Sequence, residues 1–237
     1  MLSSLDSSPY DELWIFAIDT GEGLTRADCS GITRFRERGG GILAARDHQD
    51  LGASLCTLGG IGSAHFFHSH NPEPDPNRHA PDDIDTLSIS WPNYHSGRNR
   101  DYQRIAPVAP AHELFRNADA PGRLELFPAH PHEGAVGVPS GERNARVVAC
   151  GTSRTTGRMF NLVVAFDRAR DAQGRSLGRY AAHSSFHHFA DYNWDTSFPH
   201  PSFVTEPKGT GMKTNPRALP EIRQYVRELA FWLAPQA

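Results

Sequence analysis

The stretch RERGGGILAARDHQDLG, residues 36–52, decides the fold. Its first part closes a helix. Thr25 is placed to cap a helix from Arg26 to about Arg38, Ala27, Ile32 and Phe35 supply its apolar stripe, and Gly39, Gly40 and Gly41 stop it. GILAA (41–45) then reads as a strand buried on both faces. Upstream, the apolar run LWIFAI (13–18) reads as a second such strand. Strand, helix and strand over this length make a βαβ unit with a right-handed crossover. The polar cluster Arg46, Asp47, His48, Gln49, Asp50 follows the second strand. In open α/β sheets, ligands bind at that end of the strands.

Working outward, residues 1–12 are a polar lead-in, and Leu51 to about Phe67 is expected as a helix interrupted by Gly59, Gly60 and Gly62. The segment 69–86 is rich in Pro, Asp and Asn and reads as a loop; with the irregular residues up to 110 it forms a long insertion over 69–110. Ala111–Arg116 reads as a short helix and RLELF (123–127) as a strand. ARVVACG (145–151) and FNLVVAF (160–166) read as a hairpin, and GRYAAHSSFHHF (178–189) as a last strand with a histidine-rich end. Ile222, Tyr225, Val226, Leu229, Ala230 and Leu233 fall on one face of a C-terminal helix. No internal repeat or composition break divides the chain, so 1–237 is expected to be a single α/β domain.

Composition narrows the class. The 237 residues carry a net charge of −3, which argues against a nucleic-acid-binding face as the main business. A mean hydropathy of −0.52 and the lack of any long apolar run argue against a membrane-spanning helix. Cys29, Cys56 and Cys150 are an odd set without Cys-x-x-Cys spacing, so neither a disulfide framework nor a cysteine zinc site is expected, and a reducing, cytoplasmic setting fits. MLSSLDSSPYDELW has no basic and apolar regions of a signal peptide. The number that needs a reason is 13 histidines.

Several constellations place them at strand ends. In Asp47-His48-Gln49-Asp50, two carboxylates flank an imidazole, which suits general acid/base work or part of a metal site; the bland alternative is a capped loop. His130-Pro131-His132-Glu133 follows the strand at 123–127 and sets His beside carboxylate, or else forms a turn fixed by Pro131. In His183, His187, His188, strand alternation sends only one of His187 and His188 into a site. His65 and His68 would align if helical, but the pattern lacks the Glu of a zinc-protease motif, and a structural role is favoured. His95, with Trp91 and Tyr94, suits a polar pocket with aromatic walls or a packed loop, while His79, His112 and His200 are unremarkable. No nucleophile elbow, P-loop or dinucleotide fingerprint is present, and Cys56 lies among apolar neighbours without an adjacent base.

On the residues of 36–52, on GRYAAHSSFHHF and more loosely on HPHEGAV, the chain resembles the class I glutamine-amidotransferase-like fold, most of all its ThuA-like (trehalose-utilisation) branch and related bacterial proteins. The resemblance spans most of residues 10–235. It implies a three-layer, flavodoxin-like, mostly parallel sheet. Two departures stand out. The amidotransferases carry a cysteine at the elbow, where this chain has Asp47 and His48, so glutamine hydrolysis through a thioester is not expected. The fold also opens with a strand and helix for which residues 1–12 leave no room: either the chain starts late or its sheet has one strand fewer, leaving an open edge suited to homo-oligomer contacts.

The resemblance implies a sugar-derived or similarly polar small-molecule substrate. The expected enzyme uses Asp47, His48, His132, Glu133 and His187 for acid/base isomerisation or hydrolysis, with no cofactor strictly required. Zn²⁺ or Mn²⁺ is the metal option, held by a subset of His48, Asp50, His132 and His187. His95, His130, His188 and Asn193 are the candidate substrate contacts. The competing reading is a non-catalytic ligand-binding or scaffold domain of the same fold.

Overall fold

The computed structural model of the chain describes residues 2–75, 101–116, 123–128, 135–153, 157–202 and 207–235. Its strands are β1 (Glu12–Phe16), β2 (Gly41–Ala45), β3 (His65–Phe66), β4 (Tyr102–Arg104), β5 (Ala106–Pro107), β6 (Leu126–Pro128), β7 (Ala135–Val136), β8 (Ala145–Thr152), β9 (Met159–Phe166), β10 (Ala169–Arg170), β11 (Ser176–Leu177) and β12 (Tyr180–His183). Its helices are α1 (Arg26–Glu37), α2 (Asp191–Trp194), α3 (Gly211–Thr214) and α4 (Ala218–Leu233). The central sheet has the order β1-β2-β12-β9-β8-β5.

The opening β1-α1-β2 unit forms as expected. The Thr25 hydroxyl accepts from the Asp28 N–H at 3.2 Å and the Asp28 carboxylate accepts from the Thr25 N–H at 3.2 Å, a reciprocal cap worth about 1 kcal/mol. The glycine run has a steric reason beyond stopping the helix. A Cβ on Gly178 would stand 1.9 Å from the Gly40 carbonyl oxygen, and one on Gly41 would stand 2.3 Å from that of Leu233. The entry to β2 is therefore sealed by the approach to β12 on one side and the end of α4 on the other. β1 pairs with β2, and β2 with β12, both in parallel.

Beyond β12 the sheet turns antiparallel. β12–β9, β9–β8 and β8–β5 all pair that way, so the sheet is mixed rather than mostly parallel. The connections explain this. β8 and β9 are adjacent arms of the expected hairpin, and the return from β9 to β12 is filled by the small β10–β11 ribbon, with no helix to carry a parallel crossover. The fold is plainly α/β, with one helix-covered core on each face. Ile32 and Phe35 of α1 pack with Ile42, Ala44, Val164 and Ala182 on one side. Ile222, Tyr225, Leu229 and Leu233 of α4 pack with Leu43, Val163, Ala165 and Ala181 on the other. No helix of the described residues is long and apolar enough to cross a membrane.

Two local expectations are corrected. Residues 51–67 form short 3-10 turns at Ala53–Thr57 and Gly62–Ala64 rather than a broken helix, and His65 lies in β3, so His65 and His68 are not a helical pair. Gly60 takes a φ of +72°, and a Cβ on Gly62 would stand 2.3 Å from the Leu55 carbonyl oxygen, so the chain folds back where a helix would run on. The last strand ends at His183, and residues Phe186–Phe189 make a 3-10 turn, so strand alternation does not reach His187 and His188.

Candidate active site

Parallel pairing sets Ala45 of β2 opposite His183 of β12, and the two chains leave the sheet side by side. The Phe186 N–H then reaches the Arg46 carbonyl at 2.8 Å and ties the 186–189 turn to the elbow after β2. Ser185 caps that turn, its hydroxyl accepting from the His187 N–H at 3.1 Å, and Asn193 donates to the His187 carbonyl at 2.9 Å. His187 is thereby held against Asp47.

The elbow itself is clamped from beneath. The Arg46 side chain is fully buried, lies over the Phe67 ring with 3.8 Å to its centroid, and donates to the carbonyl oxygens of Asp47 (2.6 Å) and Gln49. Burial pushes its guanidinium pKa down to about 9, so the clamp stays charged at neutral pH. The Gln49 backbone has a φ of +51°, a left-handed conformation that costs a non-glycine residue about 1–2 kcal/mol, and these bonds offset it. Asp19, just past β1, fixes the other flank. Its carboxylate accepts from the N–H groups of Gly21 (2.9 Å), Gly23 (3.2 Å) and Ser54 (3.1 Å), and from the Ser54 hydroxyl (2.7 Å).

On this frame Asp47 Oδ1 collects two imidazoles. It stands 3.1 Å from His48 Nδ1 and 3.4 Å from His187 Nε2. It also accepts the His48 backbone N–H at 2.8 Å. Asp47 is only 6% exposed, and burial alone would raise its pKa; hydrogen bonds from His187 and His48 outweigh that and hold it well below the usual carboxylate range. Asp47 is therefore a fixed anion. The His48 side chain is 20% exposed and that of His187 is 9% exposed. On its far side, His187 Nδ1 lies 3.1 Å from the Tyr192 hydroxyl. With Nδ1–H of His48 given to Asp47, the basic lone pair of that ring sits on Nε2, the tautomer a general base needs.

The remaining candidates divide. Asp50 turns away from Asp47: its carboxylate accepts from the Ser69 N–H at 2.9 Å and hydroxyl at 2.7 Å. His188 and Asn193, expected to touch substrate, are fully buried, because the 3-10 turn rotates His188 inward against Phe127 and Tyr225's neighbour His183. His95, His130, His132 and Glu133 lie outside the described residues. Among the described residues no group of three or more His, Cys, Asp or Glu is arranged to hold a metal ion. Asp19 and Tyr192 were not singled out by sequence. Asp19 had a signal, since an Asp after a buried strand and before Gly-Glu-Gly suits a side-chain-bonded turn; Tyr192 had none.

Exposed apolar side chains flank this end of the sheet. Phe16, paired with Ala45 two residues before Asp47, is 45% exposed and its ring centroid is 5.4 Å from that of Phe189. Ile18 is 60% exposed.

No protein-family model and no curated protein matches the chain. Among solved structures it is similar to a cytoplasmic protein from Salmonella typhimurium, at 12% identity and a TM-score of 0.49, over 100% of this chain and 76% of that one. No residue role is carried over from it.

Proposed function

We propose that the chain is an acid/base enzyme of the ThuA-like branch of the class I glutamine-amidotransferase-like fold, acting on a sugar-derived or similarly polar small molecule. In this reading His48 is the general base, Asp47 holds its tautomer and offsets the charge it gains, and glutamine hydrolysis is not the reaction. The observation that carries the proposal is the Asp47 Oδ1–His48 Nδ1 contact of 3.1 Å at the elbow after a parallel strand. A buried, anionic aspartate bonded to a partly exposed imidazole is the arrangement by which acid/base sites fix a ring's tautomer and offset the charge it gains. The β1-α1-β2 frame and the polar elbow are also the features on which the family resemblance rests.

The chemistry needs no nucleophile. His48 Nε2 accepts a proton from substrate, or from a water beside it, and the imidazolium so formed is stabilised by the Asp47 carboxylate. A panel of aldoses, ketoses and sugar acids incubated in D₂O with the protein, read by proton NMR, tests this. Deuterium incorporation or hydrolysis is expected with at least one member, falling roughly 10²–10⁴-fold in His48→Gln at unchanged melting temperature. Turnover unaffected by His48→Gln would overturn the assignment. Saturable binding without exchange or hydrolysis of any bound member would instead favour a non-catalytic ligand-binding domain.

A further inference from the structure

We infer that Tyr192 is a second proton-handling group of the site, wired to Asp47 through His187, which gives the site a second arm besides His48 for taking a proton from substrate or returning one. The inference rests on the acid/base reading above and adds its other arm. Its basis is geometric. Asp47 Oδ1, His187 Nε2, His187 Nδ1 and Tyr192 Oη form one chain, with 3.4 Å and 3.1 Å at the two junctions. His187 is fixed at both ends and through its backbone by Ser185 and Asn193, so its ring has little freedom to do anything but connect. Tyr192, on α2, is half-buried.

Asp47 being anionic, His187 donates Nε2–H to it, which leaves Nδ1 as the acceptor of the Tyr192 O–H. A substrate proton can then pass to Tyr192 Oη while the hydroxyl proton moves to His187 Nδ1. The imidazolium that results lies against Asp47, and the electron pair of the broken bond stays on the substrate. Return of a proton from the other arm, His48, to a different face or atom of the substrate turns the substrate over. His48 enters as the imidazolium in this direction and acts as the base in the reverse one. The protein regains its starting form when His187 gives its proton to solvent and His48 takes one back.

The test is the tautomer of each ring in protein labelled with ¹⁵N-histidine, read from long-range ¹H–¹⁵N spectra at pH 8, with His48→Gln and His187→Gln assigning the signals. The expected result is His187 as Nε2–H with a hydrogen-bonded Nδ1. Tyr192→Phe should move that Nδ1 signal to the position of a free ring nitrogen and leave the His48 signals in place. His187 found as Nδ1–H, donating to Tyr192, would overturn the relay, as would an Nδ1 signal indifferent to Tyr192→Phe. The failures are separable: His48 found as Nε2–H would sink the general-base reading while leaving the His187–Tyr192 wiring as observed.

Discussion

The His183 and His188 rings meet edge to face with centroids 5.2 Å apart, and both are fully buried beneath α4. Among the described residues neither ring nitrogen of His183 has a hydrogen-bond partner, and its neighbours include Phe127, Phe189 and Tyr225. Burial, with the neighbouring His188, holds the His183 pKa well below the usual value, and burial pushes those of His188 and His65 down to about 3.

A pH dependence of stability follows, with a definite sign. All three histidines have folded pKa values below the unfolded value, so the unfolded chain takes up protons first as pH falls. Their contribution is intact above about pH 6.5 and is lost progressively toward about 3. For His65 or His188 the loss between pH 8 and pH 5 is about 2 kcal/mol each. Melting temperature measured from pH 8 to pH 5 should therefore fall steeply, and His183→Leu should flatten the slope. A profile flat over that range, or a variant as acid-sensitive as the parent, would show that these rings do not titrate on unfolding.

Asp47 should be the residue whose loss separates fold from function least cleanly. Asp47→Asn keeps the shape but removes the charge that two imidazoles share, and it invites the wrong His48 tautomer. Turnover on any substrate found is expected to drop about 10²–10⁴-fold. Asp47→Ala should in addition destabilise by about 1–3 kcal/mol, since the half of the hydrogen bonds left behind are buried. Equal activity of Asp47→Asn and the parent would remove Asp47 from the mechanism.

The β1-α1-β2 unit was legible because Thr25, the stripe of Ile32 and Phe35, and the glycine stop are local signals that tertiary packing had no reason to override. The structure brings Asp47, His48 and His187 together, which follows from their places after the neighbouring strands β2 and β12. Strand direction was not legible. The run Phe160–Phe166 looks the same whether its neighbour runs parallel or antiparallel, and only the connection lengths decide. Nor was the turn at Phe186–Phe189, where the chain leaves the sheet after His183; alternation past that point picked no side, and the inward turn of His188 came from the bond between Phe186 and Arg46. Tyr192 reaches His187 only through that same turn, which brings its hydroxyl back to the ring.

Asp19 carries the elbow's far side, and its removal should be felt at a distance. Burial raises its pKa, but bonds from Ser54, Gly21 and Gly23 outweigh that and lower it, so it is anionic in the folded state. Asp19→Ala strands the amides of Gly21 and Ser54 and leaves residue 19 tied to 52–54 only through its backbone carbonyl, which accepts from the Gly52 and Ala53 N–H groups. The expected cost is about 1–3 kcal/mol, with faster amide exchange at Gly52, Ala53 and Ser54 than in the helices. Asp19→Asn should recover part of it by retaining one acceptor oxygen. Exchange at 52–54 unchanged in Asp19→Ala would mean that the backbone bonds to the residue-19 carbonyl and the Arg46 clamp hold the elbow without the side chain.

Chelation should leave this protein as it is. Of the residues expected to share a metal, Asp50 is committed to Ser69, while the Asp47 oxygen that could have joined them already serves His48 and His187. A cation at this point would have to displace both imidazole hydrogen bonds and turn His187 away from Tyr192, against the backbone ties of Ser185 and Asn193. Dialysis against EDTA is accordingly expected to change neither the melting temperature nor the His48 and His187 ring signals. Adding Zn²⁺ or Mn²⁺ in small excess should leave the melting temperature within about 1 °C, since a ligand bound only to the folded state would raise it. A clear rise on addition, abolished in His48→Gln, would show that a metal competes successfully for the carboxylate and that the hydrogen-bonded arrangement is the metal-free form of the site.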